Sequence, residues 1–124
     1  MDIKVVLSSE ELIKGLKHYR RIAKQDLLSA EESENPERFR NHAEARRHVY
    51  SQLTEVAETF GPHDTLKVAL DEYKKLPFVT GTEEDAYTDI KGKENALENF
   101  FLMVGLEPKV RREIRSQRPS LTAS

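Results

Sequence analysis

Glu55 and Glu58 stand three residues apart, a spacing that puts two carboxylates on one helix face, where they could share a magnesium ion. Magnesium takes oxygen ligands converging from several elements, so helical enzymes that hydrolyse nucleotides this way add a second acidic pair, E-x-x-D, on another helix. No glutamate in this chain has an aspartate three residues later. The Glu55–Glu58 pair therefore reads as a solvated helix face rather than half of a metal site.

The four histidines, His18, His42, His48 and His63, offer a second route to chemistry. Glu44 and His48 lie four apart and could touch a metal from one side, but carboxylate-bridged di-iron bundles need Glu-x-x-His from two helices. That motif is absent at every histidine. His42 and His48 are six apart and do not share a helix face. The histidines are expected at surfaces or interfaces, with no metal and no cofactor.

Nucleophilic catalysis finds no template either. There is no cysteine, no Gly-x-Ser-x-Gly and no glycine-rich phosphate loop. Ser8, Ser9 and Ser51 are explained as helix caps or helix surface. The lack of cysteine also removes disulfides and the zinc-ribbon and zinc-finger ligand sets. The expectation is a protein that is not an enzyme.

Charge is distributed unevenly. The last predicted helix carries Lys109, Arg111, Arg112, Arg115 and Arg118 against Glu113 alone. The stretch from Thr82 to Glu98 holds six acids (Glu83, Glu84, Asp85, Asp89, Glu94, Glu98) against Lys91 and Lys93. Arg38, Arg40, Arg46 and Arg47 open the second helix. Arginine clusters of this kind can grip phosphates, and Lys109, Arg111, Arg112, Arg115 and Arg118 are the candidate nucleic-acid-binding set, with Arg38, Arg46 and Arg47 in reserve. No aromatic residue sits among the C-terminal arginines to stack on a base. The competing account is intramolecular: the basic end neutralises the acidic stretch or lies on the surface.

These residues sit on an all-α framework. Ser8 and Glu11 have the spacing of a capping box, with Leu7 and Leu12 as a hydrophobic staple, which starts a helix near residue 9. Leu12, Leu16, Tyr19, Ala23 and Leu27 then mark its apolar face, while Lys14, Lys17, Arg21 and Lys24 lie off it. An acidic connector follows, and Asn35-Pro36 restarts the chain as a helix to Phe60, stopped by Gly61-Pro62. His42 and Arg46 interrupt the apolar side of this helix; polar residues in a seam can specify register or pairing, so they are the candidate partner-binding residues.

The five helices are predicted near 9–33, 36–60, 64–76, 83–104 and 108–118, the fourth being bent or broken near Gly92. The predicted core includes Leu16, Tyr19, Ala23, Leu53, Val56, Phe60, Leu70, Tyr73, Leu97, Phe101 and Val104. The unbroken apolar run Phe100–Val104 must be buried in so polar a chain, and Gly105 is expected to end its helix in a left-handed conformation with Leu106 folded back over the end. The architecture is thus a single small helical bundle over residues 1–124: four main helices, a short basic C-terminal one, an N-terminal strand or arm over 1–8, and a frayed tail over 119–124.

The segment from Glu94 to Ile114, ENALENFFLMVGLEPKVRREI, is similar in layout to the C-terminal end of some small phage terminase subunits, which place an amphipathic helix before a Gly-Leu-x-Pro turn and a basic residue. That likeness implies a packaging or regulatory role beside nucleic acid. No apolar run approaches the roughly 20 residues of a membrane span, and Met-Asp-Ile-Lys-Val-Val-Leu has too short an apolar core for a signal peptide. The expected location is the cytoplasm of a bacterium or of a cell hosting a virus. The expected function is a helical protein-interaction or regulatory module, with a protein partner or a second copy of itself; the alternative is a nucleic-acid-associated subunit using the C-terminal arginines.

Overall fold

The computed structural model describes residues 7–79 and 87–121. It is all-α: α1 spans Ser9–Ser29, α2 Pro36–Phe60, α3 Pro62–Lys75, α4 Thr88–Met103 and α5 Pro108–Ser116. A single 3-10 turn, Ala30–Glu32, closes α1. Four main helices and a short fifth match the expected architecture, with shifts at particular ends. The first helix was expected to reach residue 33, and instead tightens at Ala30. The third begins at Pro62 rather than 64, because proline is preorganised for the first helical position.

The expected start of the fourth helix at 83, with the Thr82 cap, lies outside the described residues. Tyr87 has φ 59°, a left-handed conformation that separates α4 from whatever precedes it. Through Gly92, by contrast, α4 runs unbroken. The glycine serves close packing: a β-carbon there would meet the backbone of His42 in α2.

The caps follow their chemistry. The backbone N–H of Glu11 donates to Ser8 Oγ at 3.2 Å, and the Ser8 hydroxyl donates to the Glu11 carboxylate at 3.0 Å. The Arg38 N–H donates to Asn35 Oδ1 at 3.2 Å, starting α2. At the end of α4, Gly105 has φ 75°. The Leu106 N–H reaches the Phe101 carbonyl at 2.9 Å and the Gly105 N–H reaches the Leu102 carbonyl at 3.2 Å, the paired bonds of a Schellman motif. Leu106 packs back on the core, as expected.

α2 is the central element, packed along both α1 and α4. The core joins Leu12 and Leu16 of α1, Tyr50 and Leu53 of α2, Leu66 and Tyr73 of α3, Phe100 and Phe101 of α4, and Ile114 of α5. Tyr19 stacks on Tyr50 with centroids 5.4 Å apart, and Tyr73 meets Phe101 edge-on at 5.1 Å. Tyr19, Val56 and Leu70 are half-buried rather than fully covered.

Two core expectations fail. Phe60, the last residue of α2, is 67% exposed, because the buried face of this helix ends at Ala57. Leu102 is 74% exposed although it sits inside the apolar run. At about 100° per residue, Phe100, Phe101 and Val104 share one face and Leu102 points away from it.

The first six residues, and with them the predicted strand or arm, lie outside the described residues, apart from Leu7 and Ser8, which lead into α1. Part of the expected frayed tail is instead tied down. The Phe78 N–H donates to the Pro119 carbonyl at 2.7 Å, and two short strands, β1 (Phe78–Val79) and β2 (Ser120–Leu121), pair in parallel beside it.

Candidate functional site

His42 and Arg46 do sit together, one turn apart on α2. Arg46 Nε donates to His42 Nδ1 at 3.0 Å, and Arg46 Nη2 pairs with Asp26 of α1 at 2.8 Å. An imidazole accepting at Nδ1 is neutral with its proton on Nε2. Burial is the main reason its pKa lies below the usual 6.5; the Arg46 charge adds to this and Asp26 opposes it. The Arg46 side chain is only 12% exposed. The two polar residues are therefore partnered within the α1–α2 contact, a device for register as much as for recognition. Beside them, Arg38, Phe39, Thr88 and Lys91 complete an open groove of about 300 Å³, with Phe39 exposed on its rim.

The five C-terminal cations have separate fates. Arg118 is buried, with its side chain wholly covered. Its guanidinium donates to the carbonyls of Leu76 (2.8 Å) and Pro77 (3.0 Å) and pairs with Glu94 at 2.8 Å. It also lies over the rings of Phe78 and Tyr73, at 4.4 and 4.8 Å from their centroids. Arg111 pairs with Glu98 at 2.9 Å, and Glu98 also accepts from the Tyr73 hydroxyl at 3.2 Å. Arg115 lies over Phe78 at 5.3 Å. Lys109 and Arg112 are exposed. Arg111 and Arg118 thus engage Glu98 and Glu94 of the acidic stretch, the intramolecular alternative, and the set does not form one exposed surface.

The acidic pair behaves as a solvated face: Glu55 and Glu58 are exposed, and Glu58 approaches Lys17 only at 4.0 Å. Glu44 and His48 are exposed as well. Among the described residues no group of three or more histidines or carboxylates gathers to hold a metal. No helix among them is long and apolar enough to cross a membrane.

Another cluster of cations lies elsewhere among the described residues. Lys17, Arg20, Arg21 and Lys24 of α1 and Arg47 and Ser51 of α2 line an open groove of about 390 Å³. Among the described residues, none of Arg20, Arg21, Lys24 and Arg47 has a carboxylate within 4 Å, and Lys17 has only the loose Glu58 contact. Lys17, Arg21 and Lys24 lie off the apolar stripe of α1. Their one-turn spacing along α1 was visible; the arrival of Arg47 beside them depends on how α1 and α2 pack. Comparison with protein-family models, with curated proteins and with solved structures gives no match.

Proposed function

We propose that this chain is a non-enzymatic interaction module that binds a polyanion through the groove between α1 and α2. The observation that carries this reading is the gathering of five cationic side chains from two helices around one open groove, four of them without a carboxylate partner among the described residues. Like charges held this close repel one another, and an anionic ligand relieves that repulsion while releasing counterions. The overall charge of -2 does not oppose this, because association responds to the local field.

The C-terminal arginines contribute less than the sequence promised, since Arg111 and Arg118 already have carboxylate partners. The test is retention on heparin and its elution by salt. The chain should bind at low salt and elute as salt rises, and Arg47→Gln with Arg21→Gln should elute earlier. Passage through the column at low salt would end this reading.

A second reading, a protein partner or a second copy seated over His42 and Arg46, draws support from Phe39, which is 41% exposed on the rim of that groove. Light scattering at several concentrations tests the self-association part, and a monomer mass throughout would remove it.

A further inference from the structure

We infer that the polyanion is double-stranded nucleic acid, held by its phosphate backbone and without regard to sequence. This rests on the groove between α1 and α2 being the binding face. The lining is Lys17, Arg20, Arg21, Lys24, Arg47 and Ser51, all of them donors suited to phosphate oxygens. Three are arginines, whose planar fork matches a phosphate edge better than an ammonium does.

What the lining omits selects among polyanions. It contains no aromatic residue, so an unstacked base would have no platform, and stacking platforms are what single-strand binders rely on. It contains no asparagine, glutamine or carboxylate, the readers of adenine and cytosine edges, and its arginines and lysines, whose one base target is guanine, are gathered as a cluster of charge suited to phosphates. It contains no apolar side chain to enter a membrane. A paired duplex, with its bases stacked inside and its phosphates outside, asks for none of these.

The basic strip is also short. Lys17 to Lys24 covers two turns, about 10 Å of helix, and Glu58 lies against its Lys17 end. Five cations set the number of phosphates that one molecule can neutralise, so the logarithm of the affinity should fall with the logarithm of salt concentration with a slope of roughly -4.5 at most.

The experiment is fluorescence anisotropy of the full chain with a labelled random-sequence duplex, a thymidine single strand of equal length, and heparin as competitor. The duplex should bind more tightly than the single strand, and a second duplex of unrelated sequence should bind equally well. The variant Arg21→Gln/Lys24→Gln/Arg47→Gln changes only exposed side chains. It should keep its circular dichroism and melting curve, bind the duplex more than tenfold more weakly, and flatten the salt slope by roughly 2.7. Lys67→Gln, at an exposed site on α3, should change neither quantity. Equal or tighter binding of the single strand, or heparin binding without duplex binding, overturns the duplex inference and leaves the polyanion reading standing. No binding to any of the three at low salt removes both. Duplex binding unaffected by the triple variant overturns the assignment to this groove.

Discussion

Gly92 of α4 lies directly against the backbone of His42 in α2: a β-carbon at Gly92 would stand 2.6 Å from the His42 carbonyl oxygen and 2.9 Å from the Ala45 β-carbon. Neither neighbour is a flexible side-chain tip that can swing aside. Gly92→Ala should force the two helices apart and cost about 1–3 kcal/mol, the usual range for overpacking. Gly15 is the control. There the nearest atom is the thioether of Met103, the end of a flexible side chain, so Gly15→Ala should be neutral or gain a few tenths of a kcal/mol from helix propensity. Urea unfolding of both variants checks the contrast; equal losses would mean that the α2–α4 approach is not tight.

Arg118 should matter to stability far more than its C-terminal position suggests. Arg118→Met strands the Glu94 carboxylate and two carbonyls, at a cost of about 2–4 kcal/mol given that Glu94 is partly solvated. Arg118→Lys should recover little of it, since a compact ammonium lacks both the planar fork that spans the two carbonyls and Glu94 and the guanidinium face over the Tyr73 and Phe78 rings. Arg112→Gln, at an exposed site, should stay within about 0.5 kcal/mol of the parent. Thermal melts separate the three.

The neutral state of His42 predicts a pH dependence. Its folded pKa lies below 6.5, chiefly through burial and then through Arg46, with Asp26 opposing. The unfolded chain therefore takes up a proton that the folded chain resists. The contribution is fully present above pH 6.5 and is lost as pH falls through the folded value. His42→Gln can still accept from Arg46 but does not titrate, so its stability should fall less between about pH 7 and pH 5 than that of the parent. Parallel slopes in urea titrations would show that His42 makes no such contribution.

Phe60 and Phe101 form a matched pair of aromatic residues in opposite environments, one 67% and the other 1% exposed. Phe101→Ala should cost about 3–5 kcal/mol by removing a packed ring from the core. Phe60→Ser should move stability by no more than about 0.5 kcal/mol. A large loss in Phe60→Ser would mean that this ring is covered in solution, and a concentration-dependent melt would identify a second copy as the cover.

Much of this fold is readable along the chain because its signals are local. The Ser8–Glu11 cap, Asn35-Pro36 and the Gly105 terminator each act within a few residues, and each appears in place. Gly92 was misread for the same reason. Glycine within a helix signals weakness to local reasoning, and only the His42 backbone on a neighbouring helix reveals its use. The site suffered most. Charge clusters are plain in sequence, but nothing local distinguishes Arg118, folded under Phe78 and Tyr73, from Arg47, left in the open.

Arg118 has a consequence for the order in which the molecule assembles. It reaches carbonyls 41 and 42 residues back along the chain, whereas the α1–α2 hairpin forms between segments that follow one another directly. Contacts that close long loops come late, because their entropic cost precedes any gain. The basic groove, built wholly within residues 17–51, is then expected to form early and the Arg118 latch last. Stopped-flow kinetics would register this as a variant, Arg118→Met, that refolds at nearly the parental rate and unfolds much faster.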